Sequence, residues 1–393
     1  MRVLIAHNEY SVRGGEETVV ETEARLLRDA GVDVRILMLS SRDFSEGSLW
    51  QQAFTVLSSG RMSPGRLILR DAIRRYEPDV VHFHNLYPMF GSGAVEEAAK
   101  FGCGTVRTLH NYRLSCIAGT HFRDGRVCEK CTVTKRFHGV AYGCYRGSRT
   151  QSLAMAMACA AEWRLITERN LPDVLICLTE FARKRLIEAG VPDARLVVKA
   201  NSVDAGKPLR WEDREGACFV GRLSEEKGVL ELAAAWPADG PRLTIAGDGP
   251  LRDQIESVCR EKQSLVYVGA LDRDRVRLLV RSSLVLVLPS LCWEGLPTVA
   301  LEALSEGTPF VSFSQTWNKD LQSHLDYLTE VRPGDFSGLV AENLRIASLG
   351  QEDWTEASGR ALDVYRRHFT HECNRDALLG AYELAVALAG ARR

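Results

Sequence analysis

Two glutamates, Glu294 and Glu302, stand eight positions apart around a proline and a run of small and apolar residues in "SLCWEGLPTVALEALSEG", residues 290–307. Pro297 suits the first helical position and Gly307 the residue just past the helix end. Glu294 would then stand at the mouth of that helix. Glu302 would lie about a turn and a half inside it, at ~3.6 residues per turn. Backbone amides around Thr298 and Val299 at the helix start would attract an anion. A phosphate on a helix tip, between acids that accept hydrogen bonds from hydroxyls, describes the diphosphate and polyol of a sugar nucleotide. A simple preference of acids for helix N-termini would account for Glu294 but not for an acid as deep as Glu302.

Cations and close backbone occur in three other segments. In "FVGRLSEEKGV", Arg222 and Lys227 lie five apart on a loop entering a helix. There they could grip a diphosphate, the Arg as a fork and the Lys as a point charge. A solvated basic pair, neutralised by Glu225 and Glu226, is the competing reading. "TIAGDGPLR" sets Gly247, Asp248 and Gly249 at a strand end, with Pro250 suited to open the next helix; a tight turn would look the same. In "RGGEE", Gly14 and Gly15 would let backbone approach a ligand. The dinucleotide fingerprint is absent there, since its third glycine and the acid of the second strand are missing. An ordinary strand-to-helix turn accounts for the two glycines equally well.

The elements that would position these residues alternate between short β-branched runs and longer segments of helical period, the mark of parallel sheets with crossover helices. Strands are expected at 2–6, 34–39, 79–84, 104–110, 173–179 and 195–201. After a polar stretch at 202–216, the rhythm restarts with "ACFVGRL", "RLTIAG", "SLVYVGA", "LVLVLPS" and "TPFVSFS". The expected fold is α/β, with two Rossmann-like parallel-sheet domains facing across a cleft. Residues 1–201 would form the first domain, interrupted by a cysteine-bearing insertion at 112–148. Residues 202–371 would form the second. The amphipathic tail at about 372–393 would return to the first domain. In such sheets ligands bind at the carboxyl ends of the strands, where all the segments above are placed.

Composition excludes several classes. The 393 residues suffice for two cores. Fifty Lys and Arg against 51 Asp and Glu give no electrostatic case for nucleic acid as partner. The apolar run at the start is too short for a secretory signal, and no segment reaches the length of a membrane span, so the chain is expected in the cytoplasm. Eleven cysteines in that setting point to thiols or metal ligands rather than disulfides. Cys116, Cys128, Cys131 and Cys144 include one C-x2-C knuckle, which fits a structural tetrahedral zinc as well as it fits reduced structural thiols or a redox pair. His82 and His84 alternate with apolar residues in "DVVHFHN" and share one strand face. Either reads first as a core histidine, with His84 nearer the carboxyl end.

In chain order, "RGGEE", "VGRLSEEKG", "AGDGP" and "EGLPTVALE" resemble the retaining GT-B glycosyltransferases of the group 1, family four type, which include sucrose- and trehalose-synthesising enzymes and many bacterial polysaccharide transferases. The resemblance covers nearly the whole chain, and the E-x7-E element with the G-R-x4-K-G loop is its specific part. It implies a donor site in the second domain. Arg222 and Lys227 would hold the diphosphate, Glu294 the sugar hydroxyls and Glu302 the ribose. Gly221, Gly247, Asp248, Gly249, Gly295, Leu296, Pro297 and Thr298 would surround them, and Gly14 and Gly15 would close on the donor from the first domain. His110, in "TLHN", matches a histidine that in this family lies near the reacting sugar. Asn201, in "NSVD", matches the asparagine of an N-G-V-D turn, with Ser202 in place of its glycine. The family often has a Gly-Gly turn and an acid after the strand corresponding to "TPFVSFS"; here either Asn318 and Lys319 would substitute or the donor grip would differ locally.

The expected activity is transfer of a sugar from a nucleoside-diphosphate sugar to an acceptor hydroxyl with retention of configuration, by Glu294, His110, Lys227 and Arg222 and without a catalytic metal. The acceptor would be a saccharide, a lipid-linked saccharide or a small molecule; a lipid-linked one would bring peripheral membrane contact. A sugar-nucleotide epimerase or phosphorylase on the same fold, or a silent sugar-nucleotide-binding subunit, are the alternatives.

Overall fold

The computed structural model describes residues 1–9, 15–40 and 63–392. The chain divides into two compact units. One comprises Met1–His121, Glu129–Asn201 and Asn374–Arg393, the other Phe122–Cys128 and Ser202–Cys373.

The first unit is built on β1 (Arg2–Glu9), β2 (Asp33–Ser40), β3 (Val80–Phe83) and β4 (Gly104–Leu109), with β7 (Val174–Cys177) and β8 (Leu196–Val198) completing its sheet. All pairings are parallel, in the order β2-β1-β3-β4-β7-β8. Central strands are covered on both faces, which is why β3 and β7 are buried at every residue. Helix Gly15–Asp29 buries Val19, Val20, Ala24, Leu26 and Leu27. Those positions recur at the i, i+4, i+8 spacing of one helical face. The last helix, His371–Ala391, packs Leu378, Tyr382 and Ala385 against Val3, Ile5, Val106 and Val174 of the sheet.

The second unit has β9 (Ala217–Val220), β10 (Leu243–Ala246), β11 (Leu265–Gly269), β12 (Val285–Leu288) and β13 (Phe310–Ser312). They form a parallel sheet in the order β11-β10-β9-β12-β13. The direction of winding reverses between β9 and β12. In open parallel sheets, ligands bind at such a reversal point, at the carboxyl ends of the strands.

Every expected strand is present. A two-stranded hairpin, β5 (Phe122–Arg123) with β6 (Arg126–Val127), was not expected within the insertion. Its turn residues Asp124 and Gly125 both have positive φ, 54° and 73°, the Asp-Gly signature of a type I′ turn. The helix after β12 runs Thr298–Ser305, so Pro297 is its N-cap rather than its first residue. Gly307, at φ 63°, occupies the left-handed position past the end, as expected.

Candidate active site

Three loops of the second unit meet at the reversal point beside β9. The loop after β9 and the loop after β10 are pressed together: Leu223 N donates to Asp248 O at 2.9 Å and Leu251 N to Leu223 O at 3.0 Å. A Cβ on Gly247 would lie 1.8 Å from Gly221 O, and one on Gly249 2.4 Å from Leu223 O. The glycines of "AGDG" are therefore demanded by this approach of two backbones. On the other side, Leu291 N donates to Glu226 O at 2.8 Å. A Cβ on Gly228 would meet Pro289 O at 2.3 Å, which ties the same loop to the one after β12.

This convergence brings together the residues of opposite charge. Lys227 Nζ lies 2.9 Å from Glu294 Oε1, with side-chain exposures of 27% and 10%. Burial opposes the ammonium of Lys227, but the adjacent Glu294 carboxylate outweighs it and holds the lysine pKa above its ordinary value. The Ser290 hydroxyl donates to the same Glu294 oxygen, and Thr316 Oγ1 donates to the Glu294 carbonyl at 3.1 Å. Gln315 supports the loop through the Ser290 carbonyl. Glu302 is buried within the following helix, and desolvation lifts its pKa to about 7 against the pull of Arg273 and Arg277.

The other residues singled out in this unit lie around that pair. Arg222 is exposed and, among the described residues, has no ion-pair partner; Gly221 is half-buried beside it. Asp248 is exposed and its Oδ1 accepts from Gly249 N at 2.8 Å. Leu296 is buried, while Gly295, Pro297 and Thr298 are half-buried. The first bond of the helix runs from Ala300 N to Pro297 O at 3.1 Å, so the amides of Thr298 and Val299 precede the helical ladder. Asn318 departs from its expected part in gripping a ligand: fully buried, it accepts from Gln315 N at 2.9 Å and donates to Ser312 Oγ and Phe313 O, both at 2.8 Å. It staples the turn after β13, whereas Lys319 is exposed. An Asp-x-Asp pattern follows β11, but Asp272 is the cap of helix Arg273–Ser282, accepting from Arg275 N at 2.9 Å.

In the first unit, His110 follows β4 and lines a small pocket with His84, Asn85 and Glu16. His84 Nδ1 and His110 Nε2 are 2.9 Å apart, and the rings stack with centroids 5.1 Å apart. Burial holds both imidazoles well below the ordinary histidine range; neighbouring histidines and Lys199 lower them further. His82 is fully buried and bonded on both nitrogens, to Tyr382 Oη at 2.9 Å and Thr108 Oγ1 at 2.8 Å, as a core histidine should be. Gly15 opens helix Gly15–Asp29 and is exposed. Gly14 lies outside the described residues. Asn201 is buried at 5% exposure and its Oδ1 finds no partner among the described residues.

Two buried residues behind His110, Glu23 and Lys199, escaped the sequence reading. They contact each other, and Glu23 Oε2 lies 3.5 Å from His84 Nε2. The signal for Glu23 was its place on the apolar face of its helix, between Val19 and Leu27. Lys199 carried a weaker one, as a cation closing the run "RLVVKAN".

Among the described residues, the group of three with ligand atoms within 4.8 Å of one another is Glu23, His82 and His84. It suits a divalent ion poorly, because both nitrogens of His82 are engaged and the Lys199 ammonium already neutralises Glu23. Of the four cysteines, Cys116, Cys131 and Cys144 belong to the first unit; the first two are buried and Cys144 half-buried. Cys128, half-buried, ends the hairpin stretch assigned to the second unit. No helix among the described residues is long and apolar enough to cross a membrane.

Residues 13–207 match the family described as Glycosyltransferase Family 4, and residues 214–347 match Glycosyl transferases group 1. Both matches are to families of glycosyltransferase domains. Putative glycosyltransferase EpsF of Bacillus subtilis strain 168 is 28% identical over 362 residues, which cover 86% of each chain. An uncharacterized glycosyltransferase of Methanocaldococcus jannaschii, MJ1607, is 36% identical over 107 residues, 25% of this chain and 27% of that one. The match thus spans about a quarter of the archaeal protein's length. The fold of this chain is also that of HepE from Anabaena, solved in complex with UDP, with a TM-score of 0.65 at 15% identity over 98% of this chain and 100% of that one. Its two parallel-sheet units are those of the GT-B architecture.

Proposed function

We propose that this glycosyltransferase moves a sugar from a nucleoside-diphosphate sugar to an acceptor hydroxyl with retention of anomeric configuration. The observation that carries the reading is the ion pair of Lys227 and Glu294 at the carboxyl ends of β9 and β12, where a parallel sheet opens its binding crevice. Without donor, each side chain neutralises the other. With donor, the diphosphate takes the Lys227 ammonium together with the exposed Arg222 and the amides leading the Thr298–Ser305 helix. Glu294 is then released to accept hydrogen bonds from the sugar, and Glu302 from the ribose. HepE, solved also with UDP-glucose, offers a precedent for such a donor.

In the transfer, the bond from the anomeric carbon to the diphosphate oxygen breaks through an oxocarbenium-like sugar. The acceptor oxygen enters on the face the diphosphate leaves, and its proton passes to the departing phosphate oxygen. Cations and helix amides stabilise the charge that grows there. The acceptor is a hydroxyl of a saccharide, a lipid-linked saccharide or a small molecule, and a lipid-linked one would hold the enzyme at the membrane surface.

Thermal unfolding with a panel of nucleoside-diphosphate sugars tests the donor half. A donor at 100 times its Kd should stabilise by ~2.7 kcal/mol. Proton NMR of the product then reads the anomer. An inverted anomer rejects retention, and a panel without any stabilising member rejects the donor site.

A further inference from the structure

Behind His110 runs a closed chain of buried polar groups. Lys199 contacts Glu23 Oε1; Glu23 Oε2 faces His84 Nε2 at 3.5 Å; His84 Nδ1 meets His110 Nε2 at 2.9 Å. Glu23, His84 and Lys199 are exposed by 1%, 2% and 1%. Among the described residues, neither Glu23 Oε2 nor His84 Nε2 has another hydrogen-bond partner. A carboxylate oxygen and an imidazole nitrogen left facing each other in a dry interior settle where a proton goes. With a hydrogen on His84 Nε2, a dipole points at the carboxylate. Without it, a nitrogen lone pair opposes an oxygen lone pair, which is repulsive at low dielectric.

That choice propagates. A neutral imidazole has one N–H, so a hydrogen on His84 Nε2 makes His84 Nδ1 an acceptor. His110 must then donate from Nε2, and its Nδ1 is left as a lone pair. The Lys199 ammonium touches the other carboxylate oxygen of Glu23, so the chain begins at a cation and is poled in one direction. We infer that Glu23 and His84 are positioning residues that hold His110 as the neutral Nε2–H tautomer, presenting Nδ1 as a hydrogen-bond acceptor to the reacting sugar. The last clause rests on the proposed transfer; the tautomer does not.

The test uses the full chain labelled with 15N-histidine. In the wild type, the imidazole nitrogen shifts of His110 should show Nε2 protonated and Nδ1 bare. In E23Q, whose amide can donate to His84 Nε2 instead of accepting, the His110 protons should redistribute between the two nitrogens. Because E23Q strands the Lys199 charge, the double variant E23Q/K199M is measured beside it as the charge-balanced control for folding. With a donor found in the thermal screen, either variant should lose about 10–100-fold in kcat, the range for partners that orient a functional histidine, while the donor KM changes less than threefold. A wild-type His110 protonated on Nδ1, or a tautomer unmoved in both variants, overturns the inference, and so does a loss confined to KM. A wild type that transfers no sugar would count against the proposed function alone, since the nitrogen shifts still decide the tautomer.

Discussion

Lys227 and Glu294, from loops that leave two neighbouring strands, form a 2.9 Å ion pair with Ser290 as a second donor to the same carboxylate oxygen. The proposed donor chemistry is therefore one of exchange, in which the diphosphate would displace the acid from the cation. Replacing Lys227 by Ala should lower kcat by ~10²–10³, the scale for losing one charge-stabilising donor. It should also leave Glu294 without its cation. Initial rates at saturating donor measure the loss, and a rate within threefold of wild type would remove Lys227 from the reaction.

Glu302 gives a pH signature of known sign. Its carboxyl has a pKa of about 7 in the folded chain against 4.5 as a reference, with desolvation as the main cause. Hydroxyls of a ribose are better held by the carboxylate, so donor affinity should rise as pH increases from 6 to 8. Stability should move the other way. A raised carboxyl pKa means that the folded state binds the proton more tightly, so stability declines as pH rises from 4.5 towards 7. The gap is worth roughly 3 kcal/mol at ~1.4 kcal/mol per pH unit. Glu302→Gln should therefore stabilise the protein at pH 8, leave it nearly unchanged at pH 4, and weaken donor binding at pH 8 far more than at pH 4. Thermal melts with and without donor at the two pH values separate these effects.

Two glycines predicted to approach the donor differ in what surrounds them. A Cβ at Gly247 would collide with the Gly221 carbonyl at 1.8 Å, whereas one at Gly15 would have nothing within 4 Å. Gly247→Ala should cost at or above the upper end of the ~0.5–3 kcal/mol usual for point substitutions. Gly15→Ala should stay within ~0.5 kcal/mol of wild type. If Gly15 nonetheless serves ligand approach, the alanine will weaken donor binding at unchanged stability. Unaltered donor affinity in the Gly15 variant would leave that glycine as an ordinary helix start.

The strands and the E-x7-E helix were legible because burial on both faces writes unbroken β-branched runs, and because Pro297 and Gly307 mark the helix limits in one dimension. Lys227 and Glu294 could be named from their loops, but their contact depends on the β9-β12 adjacency, which no local pattern encodes. Glu23 and Lys199 were missed for a related reason: they lie 176 positions apart, and only the fold pairs them. Asn318 shows the opposite error. Its place after β13 suggested a ligand contact, yet its amide is consumed by the backbone it caps. The hairpin of 122–127 was readable after all, since Asp124-Gly125 is a turn signal that the surrounding cysteines and charges obscured.

Ser202 replaces the glycine of the family's N-G-V-D turn, and the structure gives its hydroxyl a use. Ser202 Oγ lies 2.9 Å from His371 Nδ1, and His371 Nε2 lies 3.0 Å from Asp204 Oδ1, while Arg273 holds Asp204 Oδ2 at 2.9 Å. The hydrogen bond from His371 lowers the Asp204 pKa below 3.8; partial burial opposes it and Arg273 assists. A carboxyl depressed in the folded state contributes stability above its unfolded value and loses it as pH falls through the folded one. Because Asp204 is 42% exposed, solvent screening limits the contribution to about 0.5–1 kcal/mol. Asp204→Asn should lower the unfolding free energy measured by urea titration by that amount at pH 7 and leave it unchanged near pH 2. Ser202→Gly should cost about as much through the lost hydrogen bond. If His371 transmits between the two, the double variant will be less destabilised than the sum of the single variants. Strict additivity would show that Ser202 and Asp204 hold the turn independently.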